Sequence, residues 1–324
     1  MPYNSQISRS NMAGLIPPDI SNELLTGSTE QSAVMRLARR LRDIPGLVKT
    51  MPVLNALPSA YFVNGDTSTK QTTQMLWANK NVTAEELAVI VPVPQAAFDD
   101  SNYPIWDACK PYIVEAVGIA VDQAVLYGVN MPTSWITDIG SATGILGLCG
   151  AASPTHVISL AARTDLYDAL MAEDAVLGQI EQDGYICTGH IAHTQVKGKM
   201  RNCRDANGNP IFKPGANAGS NFATGDLDGA PVLYPLNGAI DSSKSLDFAG
   251  QWNQLVFAMR QDINWMVADQ GVIQDGAGNI VYNLFQQDMI ALRMVIRLGF
   301  AVPNPINRMQ GTQANRVPFA VLTA

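Results

Sequence analysis

Residues 47–93, LVKTMPVLNALPSAYFVNGDTSTKQTTQMLWANKNVTAEELAVIVPV, decide the fold. Leu47 to Val63 is apolar and β-prone, and Met75 to Val93 is a second run of the same kind. Between them Asn64 to Gln74 (NGDTSTKQTTQ) is polar and opens on Asn64-Gly65, a dipeptide suited to a tight turn. Pro92 and Pro94 require the second run to stop or to lie on a sheet edge, because proline donates no ladder hydrogen bond. The pattern predicts one long hairpin. Its faces are mostly polar or mixed, so it has little core of its own. A two-stranded hairpin is marginal in water, so this one must pack on something else, and another subunit is one candidate.

On the N-terminal side, residues 1–30 are irregular, with Pro17-Pro18, and read as an extended arm. Glu30 to Arg42 reads as a short amphipathic helix: Val34, Leu37, Ala38 and Leu41 on one face, Arg36, Arg39 and Arg40 on the other. Two readings of that basic face stand: a solvated surface, or an arm lying against phosphates or a neighbour's acidic surface. On the C-terminal side, Pro104 to Gly128 is the clearest helix. Asp99 to Asn102 suit its start, Pro104 its first turn and Gly128 its stop. Ile105, Cys109, Tyr112, Ile113, Ala116, Val117, Ala120 and Ala124 repeat at helical spacing as core packing.

Residues 150–284 alternate helices and short strands. Asp165 to Gln182 reads as a helix closed by Gly184, Tyr185 to Ala192 as a strand, Asp205 to Asn209 as a polar turn and Asp275 to Asn279 as a hairpin tip. Met289 to Val302 is a strongly apolar run, the kind of late strand that inserts into a sheet begun much earlier.

Composition narrows the classes of function. The chain has 324 residues, 47% of them hydrophobic, which is ample for a core. Charged residues are 15%, under the roughly 25% usual for globular proteins, as suits faces that neighbours will cover. A net charge of −7 and a pI near 4.9 argue against a dedicated nucleic-acid reader. No apolar run approaches the roughly 18 residues of a membrane span, and Met1 to Ser10 lacks the apolar core of a secretory signal. Folding in a cytoplasm, with four reduced cysteines, is expected.

No catalytic constellation has usable spacing: there is no P-loop, no GxGxxG after a strand, no GxSxG and no HExxH. The three histidines, 156, 190 and 193, have no evident orienting partner in sequence. Cys187, His190, His193 and Cys203 are residue types that bind zinc, but CxxHxxH is not a usual ligand spacing, and ordinary strand and loop positions are the expectation. No catalytic residue, cofactor or metal ligand is assigned.

The order of arm, basic helix, long hairpin, long helix, α/β lobe and returning strand resembles the major capsid proteins of tailed bacteriophages, the Hong Kong ninety-seven type fold. Leu15-Ile-Pro-Pro-Asp-Ile20 resembles the family's arm opening, and Ala60-Tyr-Phe-Val-Asn-Gly65 its outgoing extended loop, the E-loop. Glu86 to Pro94 followed by Phe98-Asp-Asp-Ser101 resembles the return strand and the entry to the spine helix. Ala120 to Gly128 resembles the end of that helix, and Gly184 to Phe212 the centre of the axial, or A, domain. Gly229 to Leu233 and Asp247 to Gly250 are similar to later A-domain strands, and Leu284 to Val302 to the strand returning to the peripheral, or P, domain.

The resemblance implies an α+β fold divided into an arm (1–46), an E-loop with its return strand (47–93), a P-domain with the spine helix (94–150), an A-domain (151–284) and a final P-domain segment (285–324). It implies a non-enzymatic subunit of a virion capsid, made in the host cytoplasm and closing as pentamers and hexamers into an icosahedral shell around double-stranded DNA. Implied partners are further copies of the chain, DNA held without sequence specificity, a portal protein, a separate scaffolding protein and a possible decoration protein, with no membrane. Asn64, Gly65, Asp66, Lys70, Trp77 and Lys80 are the expected inter-subunit contacts. Arg36, Arg39 and Arg40 are the expected contact with DNA or a neighbour. An encapsulin-like compartment shell is the alternative within the fold, and a soluble α/β enzyme the alternative outside it.

Overall fold

The computed structural model describes residues 31–64, 69–100, 105–205, 207–209, 211 and 223–324. Its long helix, α3 (Ile105–Tyr127), runs 23 residues, about 35 Å at 1.5 Å per residue. Ile113, Val117, Val121, Ala124 and Val125 are buried along it, whereas Tyr112 and Ala116 of the expected stripe are exposed. Gly128 ends the helix with φ +71°, and a Cβ there would stand 2.3 Å from the Ala142 carbonyl oxygen. Both the left-handed backbone and the close approach require glycine. Asp99 closes a separate short helix, α2 (Gln95–Asp99), rather than capping α3. Ser101, Asn102 and Pro104 lie outside the described residues.

One sheet has the order β1 (Arg39–Arg40), β10 (Val256–Ala268), β13 (Met289–Ala301), β4 (Glu85–Pro94). The apolar run expected as a late buried strand is β13, central and mostly buried, with Arg293 and Arg297 at its less covered positions. β4 lies on the edge, which is how Pro92 and Pro94 are accommodated. The other sheet has the order β5 (Val157–Ser159), β14 (Phe319–Thr323), β9 (Asp247–Gly250), β6 (Gly189–Ala192), β8 (Ala230–Tyr234), β7 (Ala223–Leu227). Helix α3 and the two sheets share the largest core, in which Trp135 meets Phe300, and Trp252 meets Phe319, edge to face.

Several expectations are corrected. The helix expected over Glu30 to Arg42 is only α1 (Ala33–Leu37), and Glu30 is outside the described residues. Ala38 turns extended, and Arg39 and Leu41 donate to the Leu255 and Phe257 carbonyls at 2.9 and 2.8 Å. The open edge of β10 captures the backbone of a helix too short to be stable alone. Met75 to Val93 is two strands: β3 (Leu76–Thr83) pairs with β2 (Val48–Ala56), while β4 joins the first sheet. Residues 57–63 form no strand. The helix expected over Asp165 to Gln182 is α6 (Leu166–Met171) and α7 (Val176–Gln182), broken where Ala172 is extended, and the strand expected from Tyr185 begins only at Gly189.

Two strands also cross the expected division at 284/285. β10 pairs with β13 in the first sheet, and β14, at the C-terminal end, completes the second. The connection before β14 is fixed by buried Arg316, which donates to Asn304 Oδ1, the Asn304 carbonyl and the Gln310 carbonyl.

Candidate shell-assembly surfaces

The hairpin pairs Val48 with Thr83 at its base and Leu54 with Trp77 further out. Beyond the paired part, the Ser59 N–H donates to Thr73 Oγ1 at 3.1 Å, and the Tyr61 hydroxyl donates to the Gln71 carbonyl at 3.0 Å. Arg308 braces it through the Pro58 carbonyl, and the Ile306 N–H through the Leu54 carbonyl. The apolar side chains it holds in place are uncovered: Phe62 is 103% exposed and Trp77 65%, with Leu47, Tyr61, Met75 and Leu76 also exposed. Of the expected contacts, Asn64 and Lys70 lie in the exposed outer part. Trp77 and Lys80 sit three apart on β3, on opposite faces, with Lys80 half-buried. Gly65 and Asp66 lie outside the described residues.

The base is rigidly seated. Val82 and Ala84 are buried with Val256, Ala258 and Ala301. The Thr83 N–H donates to Asp138 Oδ2 at 2.9 Å, and Trp135 Nε1 donates to the Thr83 carbonyl at 3.0 Å. Burial raises the Asp138 pKa, against these hydrogen bonds and the nearby Lys80 charge. The strand passes over Gly299 so closely that a Cβ there would meet the Thr83 oxygen at 2.3 Å. A second apolar concentration lies on β10, at Met266 and Val267, and on the small hairpin of β11 (Val272–Gln274) and β12 (Ile280–Asn283), with Phe285 beyond it.

The three arginines do not form one helical face. Arg36 and Arg40 border a groove of about 370 Å³ with Met35, Val114, Phe257 and Asp262. Arg39, next to Arg40 on β1, alternates to the other side of the strand. Arg40 also pairs with Asp43 at 3.2 Å. A second group of exposed cations, unremarked in the sequence reading, is Lys197, Lys199 and Arg201 on α8 (Thr194–Asn202), followed by Arg204.

The seat of the arm was also missed. Asp122 is fully buried on α3 and accepts from the Ser32 hydroxyl and from the Ala33 and Val34 N–H groups at 3.0 and 3.1 Å. Gly118, one turn earlier, lets the arm come near: a Cβ there would stand 2.9 Å from the Ser32 nitrogen. A glycine and an aspartate at i and i+4 on an otherwise apolar helix face was the available signal. Burial outweighs the hydrogen bonds and raises the Asp122 pKa from its ordinary 3.8 to about 6.

Two histidines have the orienting partners that the sequence did not show. His156 Nδ1 lies 2.9 Å from the Phe319 carbonyl and Nε2 3.3 Å from Asp183. His190 Nδ1 lies 2.8 Å from Asp247 Oδ2, across β6 and β9, and its Nε2 lies 3.4 Å from Cys187 Sγ. His193 instead caps α8, and Cys203 donates to the Lys199 carbonyl. Among the described residues, no group of three or more His, Cys, Asp or Glu is placed to hold a metal ion.

The model of the phage capsid family matches residues 13–308. The major capsid protein of Staphylococcus phage 80alpha is 23% identical over 296 residues, covering 89% of this chain and 82% of that one. A solved structure from Microbacterium phage Oxtober96 superposes with a TM-score of 0.81 at 28% identity, covering 98% of this chain and 99% of its own. One from Mycobacterium phage Adephagia gives 0.79 at 26%, covering 98% of each chain. The capsid of a native GTA particle gives 0.63 at 15% identity, covering 99% and 100%, a likeness of fold alone.

Proposed function

The chain belongs to the phage capsid family, and on that premise we propose that it is the major capsid protein of a tailed bacteriophage, closing as pentamers and hexamers into an icosahedral shell around double-stranded DNA. The observation that carries this reading is a hairpin with a rigid base and an apolar outer part that its own chain leaves bare. Phe62, Leu76 and Trp77 on such a lever are stable only if covered, and a second copy of the chain covers them at every position of a closed shell. The role is structural rather than catalytic.

The finer assignments rest on the same reading. Asn64, Gly65, Asp66, Lys70, Trp77 and Lys80 touch the neighbouring subunit as residues 47–93 drape over it. Arg36 and Arg40, beside their groove, meet DNA or an acidic neighbour, with Arg39 on the opposite side of the strand. The arm (1–46), P-domain and A-domain divide as the family resemblance implies, with the two strand exchanges noted above. A portal protein, a separate scaffolding protein and a possible decoration protein complete the particle, which assembles in the host cytoplasm.

Negative-stain electron microscopy with light scattering, on the chain expressed alone and with its neighbouring genes, tests the proposal. Closed particles or rings of five and six are expected. A persistent monomer or dimer under both conditions overturns it. An enzyme co-purifying inside the particles, in place of nucleic acid, identifies a compartment shell instead of a virion.

A further inference from the structure

We propose that Cys187 is the reactive thiol of this subunit, activated by His190 and Asp247, and that it exchanges with low-molecular-weight disulfides. The three groups form a line. Cys187 Sγ is 3.4 Å from His190 Nε2, and His190 Nδ1 is 2.8 Å from Asp247 Oδ2. The His190 and Asp247 side chains are 0% and 2% exposed, held on neighbouring strands of the second sheet. Asp247 fixes which ring nitrogen carries the resident proton, so Nε2 is the nitrogen presented to sulfur. Cys187 is only partly buried, on the loop leading into β6, so the outer end of the line is open to a reagent.

The other thiols lack this setting. Cys149 is wholly buried and Cys203 nearly so, and burial raises the pKa of each. Cys109 is partly buried on α3, away from any histidine in sequence or hydrogen bonding among the described residues. Burial would push the His190 pKa down, but the Asp247 charge and the hydrogen bonds to Asp247 and Cys187 push it up, to about 10. A positively charged ring beside sulfur is the surrounding that favours thiolate. A purely architectural role, joining β6 to β9, accounts for the His190–Asp247 pair but not for the thiol at its open end.

In the exchange, the Cys187 thiol proton passes to His190 Nε2 and the thiolate attacks one sulfur of the disulfide. A new S–S bond forms as the old one breaks, and the departing thiolate takes the proton from Nε2. Cys187 thiol and disulfide become a mixed disulfide and one free thiol, with no other oxidant or reductant. The inference does not depend on shell building.

The test incubates the purified full chain with oxidised glutathione from about pH 5 to about pH 9 and maps the adduct on each cysteine by peptide mass spectrometry. Cys187 is expected to react first, roughly ten-fold or more faster than Cys109, with a pH profile displaced below the ~8.5 of an ordinary thiol. In denaturant that advantage disappears. His190→Gln is expected to slow Cys187 about ten-fold and return its profile to the ordinary range, leaving Cys109 unchanged. Should the variant fold poorly, the wild-type profile decides alone. Cys187 titrating like a free thiol, or reacting no faster than Cys109, overturns the proposal.

Discussion

Asp122 shows how one residue couples two segments far apart in sequence. Three donors of residues 32–34 converge on its carboxylate, yet desolvation is the larger effect and raises its pKa to about 6. A folded-state pKa above the ordinary 3.8 means that this group's contribution to stability is fully present below about pH 4. It is lost as pH rises through about 6, when the buried carboxylate must ionise. A shift of this size corresponds to roughly 3 kcal/mol. Thermal unfolding of wild type and Asp122→Asn at about pH 4 and pH 7 is expected to differ accordingly. The wild type loses stability relative to the variant on going to pH 7, and a constant difference between the two would contradict the assignment. His190 has the same sign over a higher window: its contribution is intact below about pH 6.5 and lost as pH rises through about 10.

At the level of elements, the hairpin is a lever with a fixed base. Gly299 on the central strand β13 leaves room for the Thr83 carbonyl, and an added Cβ at 2.3 Å meets backbone, which cannot swing away. Gly299→Ala is expected to cost on the order of 1–3 kcal/mol in chemical denaturation. Gly276→Ala, where nothing lies within 4 Å, is expected to be silent. The outer part behaves oppositely. Phe62→Ser and Trp77→Ser remove side chains that are 103% and 65% exposed in the subunit, so the unfolding midpoint should hardly move. Particle yield by electron microscopy and scattering should fall sharply. Unchanged particle yield with both residues replaced would exclude the hairpin as an assembly element.

For the whole molecule, the net charge of −7 is repeated in every copy of a shell. Like charge opposes closure, and salt screens it: the Debye length falls from about 10 Å at 0.1 M to about 3 Å at 1 M. Assembly rate, followed by light scattering, should therefore rise with sodium chloride over that range, since apolar hairpin contacts survive screening. A rate that falls with salt would mean that ion pairs between subunits outweigh both the repulsion and the apolar contacts.

The sequence by itself determined the ordering of the fold. The long helix ending at Gly128, the late apolar strand at 289–301 and the two β-prone runs around Asn64-Gly65 were legible because each is a local pattern of period or turn chemistry. The exposed apolar residues of the hairpin were legible for the same reason, as a strand pair with no core to bury. Only the tertiary structure decided that Arg39 leaves its helix for the edge of β10, that β3 and β4 part at Ala84, and that β14 crosses into the second sheet. It alone brought Ser32 to Asp122, and Cys187 and His190 to Asp247. Such partners are set by sheet edges and buried carboxylates contributed from distant parts of the chain, and no local periodicity records which edge is open or which carboxylate will be dry.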